Sequence, residues 1–171
     1  MGVPSLRRTA AVVTVSDGVS AGTRQDTSGV LLCEMLESEG FEIAQRVVVA
    51  DDAGSIAMAL RGLVGDVNLV VTTGGTGFGP RDVTPEATLG VIDRQAPGLM
   101  ILMMSVGIAT TPMAALSRGI VGSAGRTLFV NLPGSPRGAS ENLRAILEVV
   151  PHALDLLEGD TEHTAPGGDG A

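Results

Sequence analysis

The sequence predicts an α/β protein in which helices cover both faces of a mostly parallel sheet. Two observations carry this. Short apolar runs rich in β-branched residues alternate along the chain with stretches at helical spacing. The runs are apolar throughout rather than at every second residue, as in strands buried on both sides.

The elements follow in order. AAVVTVS at 10–16 reads as the opening strand. Residues 17–26, DGVSAGTRQD, are polar and contain glycine, so they read as a loop. A helix over 28–39 follows, with Asp26 or Thr27 as its cap and Gly40 as its stop. Ile43 and Val47 to Val49 mark a strand over 42–49. Ile56, Leu60, Leu63 and Val64 recur at helical spacing over 53–64, and a third strand spans 67–72. Pro85 suits the first turn of a helix capped by Thr84 and running toward Ile92. Pro97-Gly98 breaks the chain before an uncharged segment at 99–108, LMILMMSVGI. Such a helix, apolar on every side, must be buried on every side, and a subunit interface is a natural place for it. Pro112 begins a short segment ending near Arg118. Residues 119–122 and 127–132 pair as a hairpin across the four residues between them. Ser135 caps a helix with Pro136 in its first turn, running toward Val150, where Pro151 kinks it or starts another. The composition from Gly159 onward is that of a disordered tail, which leaves 1–158 as one domain.

Composition narrows the chemistry. Apolar residues make up 44%, as in a folded chain. The only aromatics are Phe41, Phe78 and Phe129, so the core rests on Val, Leu, Ile, Met and Ala. Net charge is -8, and all 11 basic residues are Arg. Without Lys there is no P-loop lysine, Schiff base or lysine general base. No basic stripe is visible, so nucleic acid is not an expected ligand. Two His and one Cys do not make a zinc site. Cys33, among Leu31, Leu32, Met35 and Leu36, reads as a small buried hydrophobe. The apolar run after Arg7 and Arg8 is too short for a secretory signal. The apolar segment at 99–108 falls short of the ~20 residues that span a bilayer. A cytoplasmic protein without a membrane segment is expected.

The most informative stretch is TTGGTGFGPRD at 72–82. A glycine-rich turn between a strand and a helix exposes backbone N–H groups to an anion. Thr73, Gly74, Gly75, Thr76 and Gly77 are the candidate cradle, with the threonine hydroxyls as added donors. Asp82 stands at the rim, and Thr84 already supplies a cap, which frees Asp82 for a metal ion. The other strand ends carry Ser16-Asp17, Asp51-Asp52 and Asn131-Leu132-Pro133-Gly134-Ser135, where ligands of parallel sheets collect. Asp51 and Asp52 cap the helix at 53–64, or one of them is a second metal-side carboxylate. Arg118, after Ser117, is a surface charge or the cation that reads a phosphate.

These groups together resemble the MoaB/Mog family of molybdenum-cofactor biosynthesis. The matching segments are TVSDGVSAGTRQDTSG at 14–29, TTGGTGFGPRDVTPEAT at 72–88, PMAALSRG at 112–119 and VNLPGSP at 130–136. The resemblance implies a three-layer α/β/α sandwich that assembles as a homotrimer. It also implies a molybdopterin adenylyltransferase using ATP and Mg²⁺ and releasing pyrophosphate. Asp82 and Asp51 match the family's catalytic, metal-holding aspartates. Ser16, Asp17, the glycine loop, Glu86, Ser117, Arg118 and the 131–135 loop match its substrate-contacting segments. Where the family commonly places a Glu and a basic residue after the Pro-Gly pair, this chain has Leu99 to Met104. That departure favours an alternative reading, a pterin-binding protein without turnover that acts through protein contacts.

Overall fold

A computed structural model describes residues 8–159. Among these residues six strands form one sheet: β1 (Thr9–Val15), β2 (Glu42–Val49), β3 (Leu69–Thr73), β4 (Arg94–Gln95), β5 (Val121–Ala124) and β6 (Thr127–Leu132). Their order is β2-β1-β3-β6-β5-β4. The first four in that order run parallel, while β5 is antiparallel to β6 and β4 antiparallel to β5. The α-helices that flank the sheet are α1 (Asp17–Ser20), α2 (Thr27–Ser38), α3 (Ala53–Leu63), α4 (Thr84–Leu89), α5 (Pro97–Thr110), α6 (Pro136–Leu147) and α7 (Val150–Glu158).

The apolar strands work as the sequence indicates, because alternate residues serve different cores. Ala10, Val12, Leu69, Val71, Leu128 and Val130 pack with Leu32, Met103, Leu143 and Leu154. Ala11, Val13, Val70 and Phe129 point the other way, to Ile56, Leu60 and Ala87. A strand that feeds two cores has no solvent face, so it carries no polar alternation.

Several local expectations need correction. The loop after β1 contains α1, capped by Ser16, whose Oγ accepts from Val19 N at 3.2 Å. Asp26, not Thr27, caps α2. Pro97 opens α5 rather than breaking the chain before it, as its fixed φ allows in a first turn. α4 ends at Leu89, short of Ile92. The hairpin turn is only Gly125-Arg126, and β4 is an additional strand beside it. Pro151 lies in the first turn of a separate helix, α7. Gly159 closes α7 in the left-handed conformation, and the rest of the expected tail lies outside the described residues. The apolar segment is not buried on every side within this chain. In α5 only Met103 and Gly107 are buried, while Ile101 is 68% exposed.

β1 and β3 are neighbours, yet the chain leaves β1 toward β2 on the opposite side. This is the switch point at which a crevice opens above the strand ends. Gly74 closes the crevice floor. Its N–H donates to Leu132 O at 3.2 Å, and a Cβ there would stand 2.2 Å from Val15 O at φ +101. Gly74→Ala is therefore expected to cost at least about 2 kcal/mol of stability, from strained φ and displaced backbone. Urea unfolding measures it, and a change within about 0.5 kcal/mol would contradict the close approach.

Candidate functional site

The crevice holds two adjoining clefts divided by the glycine loop. The larger, about 560 Å³, is lined by Gly74, Gly75, Asp51, Asp82, Gly134, Ser16, Val19 and the segment from Arg24 to Ser28. The smaller, about 300 Å³, is lined by Thr76, Gly77, Ser117, Pro133 and the apolar Met113 and Leu116. Ser135 borders both and caps α6 by accepting from Gly138 N at 3.2 Å. The loop that the sequence singles out thus faces two chambers, 74–75 in one and 76–77 in the other.

The hydrogen bonds of this loop are one-sided. Thr84 Oγ1 donates to Gly74 O at 2.9 Å, and Thr84 N to Gly75 O at 3.1 Å. Arg118 N donates to Thr76 O at 2.8 Å, and Arg118 Nε to Gly77 O at 2.7 Å. Four consecutive carbonyls are held by two residues. In a trans peptide the N–H points opposite to the preceding C=O. Anchoring the carbonyls of 74, 75 and 76 therefore turns the N–H groups of Gly75, Thr76 and Gly77 away from those anchors. None of these three N–H groups has a partner among the described residues. The loop is thus bound through its carbonyl side and open on its N–H side.

This geometry reassigns five expected residues. Thr84 does not cap α4. Val83 is at the cap, with no side-chain bond, because the Thr84 hydroxyl is spent on the loop. Arg118 does not reach for a phosphate. Its Nη2 donates to Asp82 O at 2.8 Å, its Nη1 pairs with Glu86, and its guanidinium lies 5.5 Å from the Phe78 ring centre. Glu86 is consumed in turn, and the Arg118 hydrogen bond lowers its pKa below the ordinary Glu value. Asn131 is buried rather than exposed to a ligand. Its Nδ2 donates to Thr72 Oγ1 and Thr88 Oγ1 at 3.0 Å, and its Oδ1 accepts from Ile120 N at 3.1 Å. Thr73 borders the larger cleft, but its hydroxyl donates to Pro133 O at 2.7 Å, so it is no free donor.

The two aspartates that match the family motif share the larger cleft. Asp52 is a helix cap, accepting from Ser55 N at 2.8 Å. That leaves Asp51, whose Oδ2 accepts from Asp17 N at 2.7 Å. Asp51 Oδ1 has no partner among the described residues and would stand 3.4 Å from a Cβ at Gly75. Asp82 repeats the pattern: its Oδ2 accepts from Gly79 N at 2.9 Å, and its Oδ1 has no partner among the described residues. A Cβ at Gly77 or Gly79 would press 2.9 Å from Asp82 Oδ2, so both glycines make room for this carboxylate. Asp17 Oδ1 in turn accepts from Asp51 N at 3.0 Å, and the Asp17 carboxylate is clasped by Arg81 at 2.8 and 2.9 Å. The Arg81 hydrogen bonds, helped by the Asp51 N–H, lower the Asp17 pKa. Asp17 is a support for Asp51 rather than a lining group.

Sequence reasoning missed the far wall of each cleft. Thr14, Arg24, Gln25, Asp26, Thr27 and Ser28 line the larger one. Asp26 is held by Thr14 Oγ1 at 2.9 and 3.0 Å and by Arg46 Nη2 at 2.8 Å. The available signal was the segment's place after the first strand of the switch point. In the smaller cleft, Gly107 and Asn142 come from α5 and α6, and no local pattern marks them. Asn142 Oδ1 is buried with no hydrogen-bond partner among the described residues.

Comparison with known proteins fits this geometry. Residues 11–152 match the family described as "Probable molybdopterin binding domain". The chain is 39% identical to the molybdenum cofactor synthesis protein cinnamon of Drosophila melanogaster over 87% of its own length, but spans only 25% of that larger protein. It is 37% identical to the molybdopterin adenylyltransferase of Escherichia coli K12, covering 91% of this chain and 88% of that one. The solved structure of the molybdopterin biosynthesis enzyme MoaB from Thermus thermophilus superposes with a TM-score of 0.84 at 49% identity, covering 89% and 97% of the two chains. The strand order, the glycine loop at the switch point and these matches agree: the chain belongs to the molybdopterin-binding domain family of molybdenum-cofactor biosynthesis, with the MoaB and Mog proteins.

Proposed function

We propose that this protein is a molybdopterin adenylyltransferase. One observation carries the reading: an anchored loop turns three unpartnered N–H groups toward two adjoining clefts, and two half-free carboxylates stand in the larger of these beside Gly75. The N–H groups suit a phosphate, and the carboxylates suit the cation that accompanies it. A phosphate oxygen of molybdopterin attacks the α-phosphorus of ATP. The bond from that phosphorus to the bridging oxygen breaks, and pyrophosphate leaves with the electron pair. No strong general base is required, because a phosphate monoester is already anionic near neutral pH.

The donor set fits Mg²⁺. No group of three or more His, Cys, Asp or Glu gathers among the described residues. Mg²⁺ is commonly held by one or two carboxylates together with substrate phosphates and water. Asp51 and Asp82 would hold it by their free oxygens, and when bound it neutralises charge on the transferring phosphoryl group. The chain's own part is positional. The loop N–H groups orient the reacting phosphate, and Arg118 and Thr84 keep them oriented. The larger, more charged cleft takes the nucleotide. The smaller, more apolar cleft takes the pterin, whose N–H edge can satisfy the orphaned Asn142 oxygen. Ser16, Gly134 and Ser135 line the nucleotide side, and Ser117 and Pro133 the pterin side.

The assembly is a homotrimer, supported by the apolar face of α5. Ile101, Leu102, Val106 and Ile108 are exposed there, beside Met113 and Leu116. Such a patch is a liability on a free monomer. We place the reaction in the cytoplasm; no helix of the described residues is long and apolar enough to cross a membrane.

Four measurements test this. Wild type with ATP, Mg²⁺ and molybdopterin should release pyrophosphate; none, with pterin still bound, favours the binding protein without turnover. Asp82→Asn should reduce kcat by on the order of 100-fold with unchanged melting, and unaltered turnover removes Asp82 from the chemistry. Arg118→Met should lower kcat and weaken phosphate binding, because Gly77 O and Asp82 O lose their side-chain donor, while Thr76 O keeps the backbone N–H of residue 118. Ile101→Glu should dissociate the assembly in light scattering, since a charge would enter the interface. A wild type that is monomeric at micromolar concentration would exclude the trimer.

A further inference from the structure

We propose that Arg24 is the phosphate-reading cation of the larger cleft and takes the β- and γ-phosphates of the nucleoside triphosphate. This rests on the adenylyl-transfer reading and adds a specificity-determining residue to it.

The argument begins with charge. The ionisable side chains lining that cleft are Arg24, Asp26, Asp51 and Asp82. Three carboxylates around one cleft repel a polyphosphate. Asp26 is neutralised by Arg46, which leaves Asp51 and Asp82 uncompensated. A single divalent cation offsets those two and leaves the phosphates' own charge unmatched. A cation supplied by the chain is needed.

Elimination points to one residue. Arg118 is spent on the loop and Glu86. Arg81 is bound twice to Asp17, and Arg46 to Asp26. Arg24 is the one arginine that lines the cleft, and its guanidinium makes no hydrogen bond or ion pair among the described residues.

Its root is nonetheless fixed. Arg24 N donates to Gly18 O at 3.0 Å, and Thr23 N to the same oxygen at 2.9 Å. The side chain lies along Gly18: a Cβ there would stand 3.4 Å from Arg24 Cβ and 3.8 Å from its Nε. A fixed stem with an uncommitted planar head suits bidentate contact with phosphate oxygens, for which guanidinium is well shaped. Arg24 lines the larger cleft from the segment after α1, a different wall element from the 74–77 loop that receives the reacting phosphate. It therefore meets the departing end of the nucleotide rather than the α-phosphate.

Calorimetry on the full chain with Mg²⁺ tests this, using inorganic pyrophosphate and AMP as probes. Arg24→Ala should weaken pyrophosphate binding roughly tenfold while AMP stays within about twofold, and Arg24→Lys should recover part of the loss. Melting should be unchanged, because the side chain makes no internal bond. In turnover, the loss should fall on KM for ATP rather than on kcat. Equal losses for pyrophosphate and AMP, or no loss for pyrophosphate, overturn the assignment. A wild type that binds pyrophosphate through Arg24 yet releases none from ATP and molybdopterin keeps this inference and removes the adenylyl-transfer reading. Normal wild-type turnover with an unaffected Arg24→Ala removes only the inference.

Discussion

Thr84 and Arg118 hold four consecutive carbonyls of one loop, and the rest of the site depends on that grip. A loop of small residues after a strand has many conformations, and most would scatter its amides. Two anchors on opposite sides remove that freedom. Thr84 sits in the first turn of α4 and is fully buried, so its hydroxyl is fixed by the helix that carries it. Arg118 comes from the chain just before β5 and is aligned by Glu86 and Phe78. The glycines follow from the same constraint. At Gly75, with φ +66, a Cβ would stand 2.4 Å from Thr84 Oγ1. The residue that anchors the loop is the one that forbids a side chain on it.

The sheet determines which carboxylate faces the cleft. Asp51 and Asp52 are adjacent at the end of β2, and either could start a helix. Helix geometry assigns Asp52 to the Ser55 N–H, and the cap then leaves Asp51 turned toward Asp17 and the loop. Across the ends of β1 and β2, the carboxylates of Asp17 and Asp51 each accept from the other's backbone N–H. Arg81, one residue from Asp82, closes over Asp17. Each half-free carboxylate is thus oriented through one oxygen, which leaves the other without a partner among the described residues.

Much of this was legible in the sequence, and the remainder has a common cause. Strand runs, the Ser135-Pro136 helix start and the loop at 72–82 are local signals, and each lies where it was expected. Asp51 and Asp82 line one cleft, and the choice between Asp51 and Asp52 is one that only a cap geometry resolves. The misreadings concern residues whose partners are distant in sequence. Arg118 looks like a phosphate ligand until its contacts with Gly77 and Asp82 are seen. Asn131 looks like part of a ligand loop but faces inward, because Thr72 and Thr88 form a buried polar cluster that needs its amide. The short α1 and β4 have too few residues to show a period. The apolar face of α5 shows its composition in sequence but not its partner.

The one-sided bonding of the glycine loop separates two properties that usually travel together. Amide hydrogen exchange is slow where an N–H is bonded and fast where it is open to solvent, and fast exchange is commonly taken as a sign of motion. Here the peptide planes are fixed through their oxygens while the hydrogens of Gly75, Thr76 and Gly77 have no internal acceptor among the described residues. The loop will exchange like a flexible segment and scatter like a rigid one. Fast exchange at these three amides therefore reports an open N–H and not a moving backbone, and an acceptor supplied from outside would slow it without any change in the fold.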